Sequence, residues 1–223
     1  MNTSQDFAFA APFVPSADPH DGLLQVQDLS SPVKVLVGTW SNMLPGHYVQ
    51  LMMDDILFGP IRILTAEDAA EDVIPMQIDP EFLLEEGPHV LGFRATNNVN
   101  GVHADSETVP LIIDRTAPGA PFLAPILLPD NTSVDPVIGK VPGYAGMQPG
   151  DMIQTLCNGS LGPVYRVLAD NLTTTPIEIP FTRAFLESLL SDKVSMTYHV
   201  TDRAGNRSIL AHPVELTVAR QPK

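Results

Sequence analysis

Apolar residues along this chain fall in short runs bounded by Pro, Gly, Asn and Asp, and within the runs they tend to alternate with polar ones. Segments 33–37, 47–53, 61–64 and 89–96 read as strands, as do 152–156, 164–168, 176–179, 194–201 and 214–218. The clearest is 194–201. There Met196, Tyr198 and Val200 alternate with Ser195, Thr197 and His199, a period that puts one set in a core and the other in water. Pro110 and Pro213 fall near the start of the final strand of each half, a position where a missing N–H is tolerated, so both halves are expected to end on a partly open edge. Two inserts have a helical pattern, 79–86 and 182–191. In the second, Thr182 is placed to cap and Phe185, Leu186, Leu189 and Leu190 form one apolar stripe.

The order of these features repeats. Met43-Leu44-Pro45-Gly46 returns as Met147-Gln148-Pro149-Gly150, and the Gly59-Pro60 turn returns as Gly162-Pro163. Phe93-Arg94-Ala95-Thr96-Asn97 aligns without gaps to Tyr198-His199-Val200-Thr201-Asp202, and Val109-Pro110-Leu111-Ile112-Ile113 aligns to Val214-Glu215-Leu216-Thr217-Val218. The spacing of about 105 residues is that of one immunoglobulin-like sandwich. Between the copies, Asp114-Arg115-Thr116-Ala117-Pro118-Gly119-Ala120-Pro121 contains enough breakers to stop any strand. Pro118, Pro121 and Pro125 each fix φ and push the preceding residue toward extended backbone, which predicts a short, stiff connector. The expected organisation is an N-terminal extension at 1–28, a first domain at 29–114, a connector at 115–125 and a second domain at 126–219. Residues 219–223 again run from a strand into Arg and Pro, so the natural chain is expected to continue with further domains of the same kind.

Composition supports this all-β reading. Twenty-two prolines and fifteen glycines in 223 residues favour short strands over long helices, and 44% hydrophobic residues suffice for packed cores. The single cysteine, Cys157, closes no intrachain disulfide, so each sandwich must be held by apolar packing. Twenty-six acidic against twelve basic side chains repel phosphate backbones and anionic lipid, which argues against nucleic-acid partners and membrane insertion. No apolar stretch approaches the roughly 20 residues that span a bilayer. The N-terminus has Asp6 and no Lys or Arg before Lys34, unlike a secretory signal. Placement at the cell surface or outside it is therefore expected by a non-Sec route, with the cytoplasm as the alternative.

The stretch Val194-Ser195-Met196-Thr197-Tyr198-His199-Val200-Thr201-Asp202-Arg203-Ala204-Gly205-Asn206-Arg207-Ser208 resembles the signature hairpin of bacterial Ig-like repeats, and the Asp-Arg-Thr-Ala-Pro-Gly-Ala-Pro connector resembles the linker that precedes them. Physically, Gly205 and Asn206 suit positive-φ turn positions, and Asp202 can accept backbone N–H groups across the turn. The first copy departs from this pattern, with Thr96-Asn97-Asn98-Val99-Asn100-Gly101 in its place. The resemblance implies tandem modules of surface or secreted proteins, commonly adhesins, that act as stalks or carry binding tips. The alternative is an intracellular or phage-particle structural component built from the same domains.

No catalytic template is present. The chain lacks Gly-x-Ser-x-Gly, His-Glu-x-x-His, a phosphate loop and a Cys pair, and its six histidines have no ligand spacing, so it is read as not an enzyme and as needing no cofactor. Cys157 ends an apolar segment with nothing basic nearby and reads as a buried, inert thiol. Trp40 and Tyr48 are candidates for a carbohydrate-stacking or protein-binding platform, although aromatics in a sandwich more often fill the core. Calcium is the one candidate ion, with Asp114 and Asp202 as its ligands, because tandem sandwiches can supply oxygens from domain ends. The acidic pairs Glu67-Asp68 and Glu71-Asp72, together with Asp18 and Asp21, read first as solvated charge, since no Asp-x-Asp-x-Asp loop occurs. The Asn-x-Ser/Thr matches at Asn131, Asn158, Asn171 and Asn206 are read as chance.

Overall fold

The computed structural model describes residues 9–173 and 176–218. The chain divides between Arg115 and Thr116 into two compact units, each an antiparallel sandwich with its own core. Both are immunoglobulin-like β-sandwiches.

In the first unit the strands are β1 (Val33–Gly38), β2 (Tyr48–Met53), β3 (Ile56–Ile63), β4 (Val73–Ile78), β5 (Gly87–Thr96), β6 (His103–Asp105) and β7 (Val109–Ile113). β1 pairs with β4, and the second sheet runs β3-β2-β5, with β6 and β7 both on the free side of β5. Alternation puts Val33, Val35 and Val37 of β1 against Val49 and Leu51 of β2 and Leu91 and Phe93 of β5 in one buried cluster. Each such side chain, fully buried, contributes about 1.5–3 kcal/mol of transfer free energy.

Residues 9–28 do not stand outside this sandwich as an extension. Phe13 exchanges backbone hydrogen bonds with Leu36 of β1 (2.8 Å each), and Leu24 N–H reaches Ile112 of β7 (3.0 Å). Val14, Leu24 and Leu29 are buried in the core. The prolines at 12, 15 and 19 break the segment into pieces too short to read as strands, yet its apolar residues still complete both sheets. Consequently β7 is not an open edge, because Gly22 to Leu24 lie beside it. Gly22 (φ +80) fits there since a Cβ would sit 2.1 Å from the Pro110 carbonyl oxygen.

The second unit repeats the plan with β8 (Val137–Val141), β9 (Met152–Cys157), β10 (Ser160–Arg166), β11 (Ile177–Phe181), β12 (Lys193–Thr201) and β13 (Val214–Thr217). β8 pairs with β11, and the other sheet runs β10-β9-β12-β13. Met196, Tyr198 and Val200 are all fully buried, and the Tyr198 hydroxyl donates to the Ala124 carbonyl (2.7 Å). His199, expected to face water, is only 7% exposed, because Arg207 lies over it. Part of the segment read as connector also belongs to this unit. Pro118 and Gly119 are buried, Leu123 is in the second core, and Gly119 N–H bonds the Ala145 carbonyl (2.7 Å). Residue 219, the expected end of this domain, and the rest of 219–223 lie outside the described residues.

The second helical insert forms α1 (Arg183–Ser188), capped by the Thr182 hydroxyl accepting Phe185 N–H (3.3 Å). Leu186 is buried and Phe185 and Leu189 half-buried, but Leu190 is 83% exposed at φ 53, past the helix end. The first insert forms only a 3-10 turn at Pro80–Phe82.

Both units share a device on the edge strand next to β2 or β9. The ladder slips a register at Gly59-Pro60 and at Gly162-Pro163. A glutamine amide fastens each slip, Gln50 Nε2 donating to the Gly59 carbonyl (3.0 Å) and Gln154 Nε2 to the Gly162 carbonyl (2.9 Å).

Candidate functional site

At the end of the first unit where β2 begins and β5 ends, two connections, 39–47 between β1 and β2 and 97–102 between β5 and β6, come together beside a third, 64–72 between β3 and β4, which bonds the first through Thr39 and Gly46. Trp40 lies in the first connection and Tyr48 opens β2, opposite Thr96, so both aromatic candidates sit at this end. Both are half-buried. The Trp40 indole packs on Phe9 (centroids 4.8 Å) and Phe93 (6.5 Å), so its ring partners come from the sandwich itself.

Loop 97–102 is built on two asparagine turns. Asn97 Oδ1 accepts Val99 N–H (2.9 Å) and Asn100 Oδ1 accepts Val102 N–H (3.0 Å), while the Asn97 N–H bonds the Val102 carbonyl (2.9 Å). The two connections touch where Gly46 (φ +92) faces the Asn98 amide; a Cβ there would lie 3.2 Å from Asn98 Nδ2. Neither 39–46 nor 97–102 contains a charged residue, and these loops expose Leu44 (58%), Val99 (88%) and Val102 (65%), while the adjoining 64–72 carries the exposed Glu67, Glu71 and Asp72. Sequence reasoning marked this loop only as a departure from the hairpin signature. The signal that would have found its shape is the Asn-Asn-Val-Asn-Gly spacing, each turn-forming Asn standing two residues before the N–H it accepts.

The same end of the second unit has different chemistry. Tyr144 stands where Trp40 stands in the first copy, and its hydroxyl donates to Asp151 Oδ2 (2.8 Å), which also accepts Gln148 N–H (3.1 Å). Burial, and then the Asp151 carboxylate, push the Tyr144 hydroxyl pKa well up. Asp202 Oδ1 accepts Asn206 N–H (2.8 Å) and Oδ2 accepts Asn206 Nδ2–H (3.0 Å) across a hairpin in which Gly205, and not Asn206, takes positive φ (+89). This end is a closed polar network.

Of the calcium candidates, Asp202 thus spends both carboxylate oxygens on its own turn, and Asp114 is a half-buried residue just past β7 in the first unit. Among the described residues no group of three or more His, Cys, Asp or Glu is placed to hold a metal ion. Of the other acidic candidates, Glu67, Glu71 and Asp72 are exposed, while Asp68, Asp18 and Asp21 serve local structure. Asp68 is buried and accepts from Thr65 N (2.8 Å), Thr65 Oγ1 (2.9 Å) and Arg62 Nη2 (2.6 Å); the Thr65 amide, with Arg62 and the Thr65 hydroxyl, holds its pKa down against desolvation. Asp18 and Asp21 accept the backbone N–H of His20 (2.9 Å) and Leu23 (3.2 Å). Cys157 is fully buried, and burial raises its thiol pKa to about 11, so little thiolate forms at neutral pH. A groove of about 590 Å³ lies between β3 and β4, lined by Phe58, Pro60, Ile61, Pro75 and Met76, with Lys34 and Arg62 at its side.

No family model and no curated protein matches the chain. Among solved structures, it is similar to a 1.5-MDa bacterial ice-binding adhesin studied for host cell surface retention, at 14% identity over 88% of this chain and 60% of that one, with a TM-score of 0.45. It is also similar to the FN1–FN3 domains of chicken CNTN1 (10% identity, 95% of this chain and 68% of that one, TM-score 0.44). A third likeness is to the adhesin domain of Epf from Streptococcus pyogenes (14% identity, 96% and 90% covered, TM-score 0.33). The chain spans 60% of the ice-binding adhesin structure's length. Likeness at this level transfers neither ligand nor activity. Among the described residues no helix is long and apolar enough to cross a membrane.

Proposed function

We propose that the chain is a non-catalytic spacing and binding module of a bacterial multidomain surface or secreted protein, and that its binding face is formed by the two uncharged loops, 39–46 and 97–102, at one end of the first unit. The observation that carries this reading is the difference between two otherwise repeated loop ends. Where the second unit closes its hairpin with Asp202 and Asn206, the first exposes Leu44, Val99 and Val102 on two loops that hold no charged residue, in a chain with 26 acidic residues. Isolated exposed apolar residues are ordinary, but three grouped on two touching loops mark a contact surface. Asparagine amides beside them offer both donors and acceptors, which suits a neutral partner such as a glycan or an uncharged protein patch. The tandem repeat and its proline-rich connector support a role in spacing.

The test is a triple variant, Leu44→Asp, Val99→Asp and Val102→Asp, compared with the wild type for binding to glycan arrays and to immobilised matrix proteins. Because all three side chains are exposed, the variant is expected to keep its melting temperature and lose binding. Equal binding by the variant would overturn the assignment of the face; a wild type that binds nothing on either surface would leave spacing as the module's whole role.

A further inference from the structure

Each unit turns tightly between its central strand and the edge strand, and fastens that turn to the neighbouring strand with the side chain of the turn's first residue. In the first unit Asp54 (φ 50) and Asp55 (φ 66) make the turn; Asp54 N–H bonds the Val90 carbonyl (3.0 Å) and its Oδ1 accepts Val90 N–H (2.9 Å). In the second, Asn158 (φ 49) and Gly159 (φ 80) do the same against Ser195, at 2.8 and 2.8 Å. The frame is shared and the charge is not.

Asp54 Oδ2 also lies 2.6 Å from His89 Nδ1, and His89 Nε2 lies 3.1 Å from the Glu85 carbonyl oxygen, with the ring only 8% exposed. Two acceptors, one at each ring nitrogen, are both satisfied only by the doubly protonated imidazolium. The charged groups acting on the ring are Asp54 and Glu85, both negative, and Leu111 lies opposite on β7. In the second copy the matching residue is Val194, fully buried.

The second unit carries the opposite arrangement. His199 on β12 is 7% exposed, and its Nδ1 lies 3.2 Å from Arg207 Nη2. An arginine always donates, so this contact needs a neutral ring with a free lone pair on Nδ1. Arg207 is the charged group acting on it, and Gln154 lies opposite on β9. In the first unit the matching position is Arg94, held by Asp105 through two bonds of 2.6 and 2.8 Å.

We propose that the two units contain proton-linked locks of opposite sense, so that acidification through the neutral range tightens the first unit and loosens the second. For His89, burial alone would lower the pKa, but the Asp54 hydrogen bond, the Glu85 carbonyl and the two negative charges outweigh it and raise the value above 6.5. Its stabilisation is complete below that value and is lost as pH rises through the folded pKa. For His199, burial and then the Arg207 charge lower the pKa below 6.5, so the unfolded chain takes up a proton that the folded unit resists, and stability falls as pH drops.

The full chain contains its own reporters, since Trp40 is its single tryptophan, in the first unit, and Cys157 its single, buried cysteine, in the second. Urea unfolding is followed by tryptophan emission and by pulse labelling of the thiol with a dithiodipyridine, at about pH 5.5 and about pH 8, a range in which ordinary carboxylates stay ionised. On acidification the tryptophan midpoint is expected to rise and the thiol midpoint to fall. Asp54→Asn, which leaves a residue that Asn158 shows can hold the turn, is expected to abolish the first shift, and Arg207→Gln to reduce the second, since burial of the His199 ring remains. Should Asp54→Asn not fold, His89→Val takes its place. Shifts of the same sign in both units, or shifts left unchanged by these substitutions, would overturn the proposal.

Discussion

Between the last two strands of each sandwich the two units differ in turn and agree in hinge. The second unit makes one ladder pair, Thr201 with Arg207, and then breaks away at Ser208; the first makes three, Arg94 to Thr96 with Asp105 to His103, and breaks away at Ser106. At each break a buried serine hydroxyl replaces the missing ladder carbonyl. Ser208 Oγ accepts Val200 N–H (2.9 Å) and donates to the Ile209 carbonyl (2.8 Å), and Ser106 Oγ accepts Phe93 N–H (2.9 Å) and donates to the Glu107 carbonyl (2.7 Å). The final strand must break for its second half to pair with the far end of β5 or β12, and the break must leave no buried N–H unpaired. The turn beyond it carries no such obligation, so it is free to be a closed hairpin in one unit and an exposed loop in the other.

The largest effect that would sharpen this comparison comes from the matched core rings. Tyr198→Ala and Phe93→Ala should each cost about 3–5 kcal/mol. Each should collapse its own unit only, read by loss of thiol protection at Cys157 for the first variant and by the Trp40 emission shift for the second. A single concerted transition in both variants would break the picture of two independent cores.

Next come the hinge serines. Ser208→Ala and Ser106→Ala strand a buried N–H and should cost about 1–3 kcal/mol each in urea titrations. A loss confined to one unit would mean that the hinge is not the shared requirement. Smaller still, Thr182→Ala removes the cap of α1, which has no full counterpart in the first unit, and should lower the second unit's midpoint by about 1 kcal/mol while leaving the first unchanged. Smallest of all, millimolar calcium should leave the second unit's melting temperature where it is, because both Asp202 oxygens are engaged by Asn206; a rise would put the ion back at that hairpin.

Strands with plain alternation, such as β1 and β12, were legible from sequence. Among the elements that were not, three have a plain physical reason. β4 carries Pro75 in its middle, which is allowed because β4 pairs with β1 alone. β8 holds Gly139, which reads as a break but makes room for the Phe181 ring, 2.8 Å from where a Cβ would be. Residues 9–28 look like a proline-rich tail, yet Val14, Leu24 and Leu29 complete the first core through isolated pairings that no periodicity announces. The site was less legible than the fold. Trp40 and Tyr48 were visible as aromatics, but their placement at one loop end depends on the β2–β5 register, and the His89 lock joins residues 35 apart in sequence.

The slipped, proline-bearing edge strands have a consequence for molecules crowded together. A regular strand edge invites a neighbour's edge to zip onto it, and modules held at high local density would be the first to do so. Pro60 and Pro163 delete a donor where such a partner would dock, and the slip beside each one bends the row of acceptors out of step. Through β3 and β10, therefore, neighbouring copies of this module are hindered from fusing into one continuous sheet.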